Sequence, residues 1–319
     1  MKREFLTKEE VLSDPRYGTY PGARDLKEKL QRGILILDKP KGPTSHQTTA
    51  WVKDILDLDK AGHSGTLDPK TSGVLLVALK KSTKTMPVLK GLDKEYVATM
   101  TLHDEASDDI LEETLQKFRG KIKQVPPKKS AVRREERTRE VYKLKVVDRR
   151  DSNVILRIKC EAGTYVRKLI HDMGEEMGCK AHMKELRRTA VGPFGEEESV
   201  KLQDIKDSYV FYEDGKSREI EEYVLPVEVV ADLSKAVVVK DTAVESVCNG
   251  APLGVGGIAK LEKGIEGGDV VSLLSGKGEL VALGEAEMSS EDMYESNEGK
   301  AASLVNVIME RGTYPKGWK

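Results

Sequence analysis

The sequence is short of cysteine. Its three thiols, Cys160, Cys179 and Cys248, are odd in number and far apart, with no C-x-x-C pair. That excludes a disulfide framework and a zinc ribbon. Long apolar runs are missing too. The longest, "VLLVAL" at 74–79, is far below the roughly 20 residues that a membrane-spanning helix needs. The opening stretch "MKREFLTKEEVLSDP" offers no apolar segment to serve as a secretory signal, so the expected location is cytoplasmic. Nor does one charge dominate: 53 Lys/Arg face 54 Asp/Glu. Balanced charge with 38% hydrophobic residues argues against disorder, and 319 residues suffice for two cored domains. The five histidines (46, 63, 103, 171, 182) show no ligand spacing, and no H-E-x-x-H, EF-hand loop or nucleophile-elbow serine occurs. Neither a metal nor a nucleotide cofactor is expected.

Near-neutrality hides an uneven distribution. Residues 121–150 hold twelve Lys/Arg against four Asp/Glu, whereas residues 230–319 hold nine against fourteen. A local basic stripe can release counterions from a phosphate backbone even on a neutral chain. The run contains Pro126-Pro127 and a tight "RREERTR" cluster, which places a nucleic-acid role ahead of a merely solvated surface.

Periodicity then orders the chain. "GILILD" at 33–38 reads as an apolar strand, followed by a turn and a helix capped by Thr44 or Ser45, with Trp51, Val52, Ile55 and Leu56 expected on its buried face. "GVLLVAL" reads as a buried strand and "EYVATMTLH" as an alternating one. A helix near 107–118 leads into the basic run, and two strands, "VYKLKVV" and "NVILRIKCEAG", meet at a polar turn. "TYVRKLIHDMGEEMG" at 164–178 is an amphipathic helix with Val166, Leu169, Ile170 and Met173 on one side. This predicts an α+β domain to about residue 225. Beyond 226–232, short Val/Leu/Ala runs separated by glycine-rich turns predict a small β-barrel or sandwich, its last strand "ASLVNVIME".

Chemistry concentrates at "GHSGTLDPKTSG", residues 62–73, where Asp68 is the single acid among small residues. Gly65–Thr71 lacks the glycine–lysine pair of a phosphate loop, and no helix follows the G-x-G-x-x-A spacing at 254–259. Glycines 62 and 65 permit close approach of a ligand, and Pro69 keeps Asp68 extended. On the residues alone, Asp-Pro is equally a common turn pair.

The stretch "AGHSGTLDPKTSGVL" resembles the catalytic motif of the TruB/dyskerin family of RNA pseudouridine synthases. "GILILDKPKGPTSH", "KEYV", "EAGTYVRKLIHDMG" and "AHMKELRRTAVGPF" resemble further family motifs in order, and 232–310 resembles a PUA domain. The resemblance implies an α+β catalytic domain, with a mixed, largely antiparallel sheet and flanking helices, over 33–228. It also implies a PUA β-barrel over 229–319 and an N-terminal extension, 1–32, packed on the PUA module. By resemblance Asp68 is the nucleophile, Arg167 the arginine paired with it, and Tyr96 the tyrosine that stacks on the base and helps remove its C5 proton. His63 would stack beside an extruded nucleotide, with Gly65 and Thr66 in the substrate loop. Lys39 has either a packing role or a substrate contact, and Arg133, Arg134 and Arg137 would face RNA. Singly, Tyr96 reads as core, Arg167 as a surface ion pair and His63 as a turn residue.

"YGTYPGARDLKEKLQRG" resembles the extension of archaeal and eukaryotic dyskerin-type proteins, and no lysine-rich tail follows. That implies the archaeal catalytic subunit of box H/ACA guide ribonucleoproteins, acting on rRNA and on the tRNA T-loop without a cofactor. Its implied partners are guide RNA, a small zinc-ribbon protein, a β-barrel protein and a kink-turn-binding ribosomal protein. The alternatives are a stand-alone tRNA pseudouridine synthase and a non-catalytic RNA-binding scaffold.

Overall fold

The computed structural model describes residues 3–125 and 135–316. Chain order begins with strand β1 (Phe5–Thr7), helix α1 (Leu26–Gln31), β2 (Gly33–Lys39), α2 (Ser45–Ile55), β3 (Ala61–His63) and β4 (Ser72–Leu79). Next come α3 (Met86–Gly91), β5 (Lys94–Leu102), α4 (Asp108–Lys117), β6 (Gly120–Gln124), β7 (Arg137–Arg150) and β8 (Asn153–Cys160). Helix α5 (Val166–Glu176), β9 (Ala181–Val191), β10 (Phe194–Gly195), α6 (Leu202–Glu213), α7 (Ile220–Tyr223) and β11 (Leu225–Pro226) follow. The remainder is β12 (Lys235–Val239), α8 (Asp241–Cys248), β13 (Leu253–Gly254), β14 (Ile258–Glu262), β15 (Val270–Leu274), β16 (Leu280–Ala286), α9 (Ser290–Glu295) and β17 (Lys300–Val307).

Most of the strands up to β11 form one mixed sheet in the order β11-β2-β4-β9-β5-β8-β7-β6, with β3 added to β4 and β10 to β9. Its pairings are antiparallel except β4 with β9, which run parallel. Strand β4 is apolar after Ser72 and almost wholly buried, as a strand covered on both faces must be. Strand β5 alternates, with Ala98, Met100 and Leu102 turned into a core shared with Leu156, Leu169 and Ile170.

Helix α2 begins at a capping box: Gln47 N–H donates to Thr44 Oγ1 at 3.1 Å, and Thr44 N–H to Gln47 Oε1 at 2.9 Å. Its buried side is Ser45, Thr48, Thr49 and Val52. Trp51 is not on it and stands 44% exposed. The expected burial fails on helical geometry, since one residue back from Val52 turns a side chain about 100° away. Helix α5 starts at Val166, two residues after the predicted start, and buries the four expected apolar residues.

The strand that periodicity did not find is β9. Eleven residues long, it lies between β5 and β4 and carries both arginines of "ELRRTAV". The second sheet runs β1-β14-β12-β15-β16-β17-β13 and curls round a core of Val237, Leu261, Leu273 and Val281. It is an open half-barrel rather than a closed one, because its edge strands β1 and β13 do not pair with each other. Edge strand β1 comes from the far end of the chain, and Lys8 Nζ donates to the carbonyls of Met293 (2.7 Å) and Ser296 (2.6 Å) at the end of α9.

The two sheets share packing. Ile34, Leu76 and Val227 cluster with Leu280, Leu283 and Ile308. Beside them Arg24, fully buried, makes a two-pronged pair with Glu228 at 2.7 and 2.9 Å. Among the described residues no helix is long and apolar enough to cross a membrane.

Candidate active site

The loop between β3 and β4 is anchored residue by residue. Leu67 is buried, and its backbone is gripped by Ser45, whose Oγ accepts from Leu67 N–H at 2.8 Å and donates to Leu67 C=O at 3.2 Å. Gly42 N–H donates to Pro69 C=O at 2.8 Å, and Thr71 N–H closes a turn on Asp68 C=O at 2.9 Å. Buried anchors at Ser64, Leu67 and Thr71 leave Thr66, Asp68, Pro69 and Lys70 on the outer side. The small-residue composition builds a taut loop that presents one carboxylate.

Two buried cations brace that loop from beneath. Lys39 Nζ donates to the carbonyls of Pro40 and Thr71, both at 2.9 Å, and its side chain has no exposed surface. In this structure the ammonium is buried and bonded to these two carbonyls, as the packing reading has it. Arg188, only 2% exposed, donates from Nε to Val74 C=O at 2.7 Å and from Nη2 toward Gly65 C=O at 3.4 Å. Its guanidinium also lies near enough to the Tyr96 phenol for its charge to act on it. Among the described residues no carboxylate pairs with Arg188. Burial pushes the Lys39 ammonium below its usual range, and the Arg188 charge adds to the fall. Lys94, also buried, is pushed down to about 8 by burial first and Arg188 second. Positive charge thus collects under the loop, offset by backbone carbonyls instead of acids.

Sheet register sets Tyr96 and the loop in one row. Gly73 of β4 lies opposite Arg188 of β9, which lies opposite Tyr96 of β5. Gly73 has φ +106°, and a Cβ there would stand 2.1 Å from the Arg188 carbonyl oxygen, so only glycine fits. Burial pushes the Tyr96 phenol up, while the Arg188 charge works against the rise. His63 packs edge-on against His46, ring centroids 4.8 Å apart. Burial, then the His46 ring and nearby cations, lower its pKa to about 4, so the imidazole is neutral at ordinary pH. Gly65 carries φ +152° directly beside the Arg188 guanidinium.

Arg167, the second residue of α5, meets Asp68 directly: its Nη2 and Asp68 Oδ2 form an ion pair. Both side chains stay about half exposed (54% and 50%). At that exposure the pair aims the two groups rather than stabilising the fold appreciably. Four elements distant in sequence therefore converge: the 64–71 loop, β5 with Tyr96, β9 with Arg188 and the start of α5. What they form is a carboxylate–guanidinium site suited to nucleophilic attack, open to solvent above and with buried cations below.

The basic run is less uniform. Arg137 begins β7 opposite Gln124. Arg133 and Arg134 lie outside the described residues. Lys123 pairs with Glu136 at 3.0 Å, Arg139 with Glu161 at 3.2 Å and Arg150 with Asp148 at 3.1 Å, while Arg149 reaches Asp108 at 2.5 Å. Half of its described cations are thus engaged by acids. Sequence reasoning offers Ser45 only as an alternative helix cap, a place that Thr44 takes, and gives Arg188 no role in the site. The available signal for Arg188 was the pair Arg187-Arg188 in a strand, since alternation must send one arginine inward. Arg187 is the outward one, held by Asp38 at 3.0 and 3.2 Å.

Comparison with known proteins agrees along the whole chain. Family models match for a DKCLD domain at 1–49, the TruB family pseudouridylate synthase N-terminal domain at 53–166, the tRNA pseudouridylate synthase B C-terminal domain at 167–231 and a PUA domain at 235–308. The "Probable tRNA pseudouridine synthase B" of Methanosarcina barkeri is 46% identical over 99% of this chain and 94% of its own. A chain in the crystal structure of a Cbf5-Nop10-Gar1 complex superposes with TM-score 0.93 at 46% identity, covering 99% of this chain and 97% of that one. A chain in the structure of an H/ACA RNP bound to a substrate RNA containing 2'-deoxyuridine gives 0.92 at 44%, covering 100% and 98%. Asp68, on its braced loop under Arg167, thus stands in a chain that belongs to the TruB family of pseudouridylate synthases, with a DKCLD segment before the catalytic sheet and a PUA domain after it.

Proposed function

We propose that this chain isomerises specific uridines in RNA to pseudouridine as the catalytic subunit of a box H/ACA-type ribonucleoprotein, and also acts on tRNA. Asp68 is the nucleophile. The target uridine leaves its stack, because its reacting atoms are out of reach within a helix. Attack by the carboxylate accompanies cleavage of the N1–C1′ bond. The attack leaves an Asp68 Oδ–C1′ ester; the freed uracil turns, its C5 attacks C1′ as that ester bond breaks and returns the carboxylate, and then the C5 proton leaves while N1 takes up a proton. The exchange is redox-neutral and calls for no cofactor. Arg167 keeps the carboxylate ionised and aimed. Tyr96, set opposite Arg188 in the sheet, lies against the base and assists loss of the C5 proton. His63, uncharged, stacks beside the displaced nucleotide with the Gly65–Thr66 backbone.

The observation that carries this reading is the Asp68–Arg167 pair on an outward, rigidly braced loop. The partners follow from the solved complexes that the chain resembles: guide and substrate RNA, a Nop10-type zinc-ribbon protein and a Gar1-type β-barrel protein. A kink-turn-binding ribosomal protein would join through the guide RNA, and the assembly would work in the cytoplasm. The name carried by the M. barkeri relative favours a second reading, stand-alone action on tRNA. Incubating purified protein with C5-tritiated tRNA transcript, or with guide RNA, its target and both partner proteins, separates the two through tritium release. Release from either RNA establishes the enzyme. Tight RNA binding with no release in any combination leaves a scaffold instead.

A further inference from the structure

We propose that Gln124 is a positioning residue for Arg167, acting through the backbone of Tyr165; the inference rests on Arg167 serving Asp68 as described above. Gln124 ends β6 and is 3% exposed. Its carboxamide grips one peptide residue at two points. Tyr165 N–H donates to Gln124 Oε1 at 3.0 Å, and Gln124 Nε2 donates to Tyr165 C=O at 3.2 Å. Tyr165 directly precedes α5, and its carbonyl also accepts the helix bond from Leu169 N–H at 2.9 Å. The clamp therefore holds the point from which the helix springs, two residues before Arg167.

No side chain caps α5, and its first turn contains no acid to meet the positive end of the helix. Arg167 is itself half exposed, so little packing restrains its side chain. Upstream, Glu161 accepts from Glu140 N–H at 3.0 Å and from Arg139 Nη1 at 3.2 Å, and Thr164 Oγ1 donates to Glu161 C=O at 2.8 Å. Those bonds fasten the beginning of the turn to β7. The helix entry itself is gripped by Gln124 at both its N–H and its C=O. A shift of about 1 Å in a group that aims the nucleophile can cost on the order of 100-fold in rate, so a buried amide far from the reacting atoms can govern turnover.

The test uses the full chain, with partner proteins if turnover requires them, on C5-tritiated tRNA transcript under single-turnover conditions. Gln124→Met keeps length and removes both hydrogen bonds. Gln124→Glu can still accept from Tyr165 N–H, but its ionised form cannot donate to the carbonyl. The Met variant is expected to lose on the order of 100-fold in rate with RNA affinity within twofold of wild type, and the Glu variant to fall between. Circular dichroism fixes the folded fraction, and rates are compared per folded molecule; if the Met variant does not fold, the Glu variant alone must show the loss of rate at unchanged affinity. A wild-type rate per folded molecule, or a loss accounted for by affinity, overturns the proposal. Arg167→Lys, run alongside, separates the two claims: if that variant keeps the wild-type rate, the reading of Arg167 fails regardless of Gln124.

Discussion

At the scale of single residues, the site depends on groups whose charge the fold has already decided. His63 is the clearest case. Its folded pKa, about 4, lies below the ordinary imidazole value of about 6.5. The unfolded chain therefore takes up the proton first as pH falls. The stability contributed by neutral His63 is complete above about 6.5 and is lost as pH drops toward 4. Ring proton shifts followed by NMR should show His63 untitrated down to pH 5; a midpoint near 6.5 would contradict the burial. Arg167→Lys tests the pair with Asp68. Lysine keeps the charge but not the planar fork, so the single-turnover rate should fall by on the order of 100-fold or more with RNA affinity little changed. A wild-type rate would reduce Arg167 to a surface cation. Asp68, Tyr96 and Arg167 stand out in the sequence because their motifs occur together and in order, and the structure brings Asp68 and Arg167 into an ion pair; singly, each has an ordinary structural explanation. Lys39 was only half legible, since sequence cannot say that an ammonium is consumed by the carbonyls of Pro40 and Thr71.

At the scale of elements, the strands with strong period or continuous apolar character, β2, β4 and β5, were plain from the sequence. Strand β9 was not. "AHMKELRRTAV" is too charged to read as central, and it becomes central because β5 and β4 pair with its two edges. Tertiary context overrides propensity there. Trp51 shows the reverse error, an aromatic assigned to the core that helical angle turns outward. The closest approach in the sheet, Gly73 against Arg188, yields a stability test. Gly73→Ala combines a positive φ with a Cβ 2.1 Å from a backbone oxygen. It should destabilise by about 3 kcal/mol or more, read from the denaturant midpoint. A cost under about 1 kcal/mol would mean that β4 and β9 can separate freely, and that Arg188 does not hold the loop as described.

At the scale of the whole molecule, the two sheets share a hydrophobic cluster and the buried Arg24–Glu228 pair, and β1 joins the N-terminal segment to the C-terminal sheet. The change in texture after residue 226 falls shortly before β12, where the chain enters the second sheet. The open edge of that sheet was not readable in the sequence, because closure depends on which strands meet and no local pattern records that. Charge is divided as well: the 121–150 run is basic, and 230–319 is acidic by five. Neutralising Arg133, Arg134 and Arg137 together should weaken RNA binding and flatten the log–log salt dependence, by about 0.7 per lost phosphate contact on single-stranded RNA. Sequence preference should barely move, because phosphate contacts carry none. Removing 232–319 should cost affinity with little change in slope. If the triple variant keeps the wild-type slope while the truncation flattens it, the electrostatic footprint belongs to the other sheet.

The central claim is that Asp68 attacks the nucleotide, and everything described around it serves to present that carboxylate. Asp68→Asn preserves volume and removes the nucleophile, so it separates chemistry from binding. The decisive measurement is single-turnover tritium release from C5-labelled RNA by this variant, alongside its affinity for the same RNA. The expected result is no detectable release with affinity within a few-fold of wild type. Release at a rate near that of the wild-type protein would contradict the account.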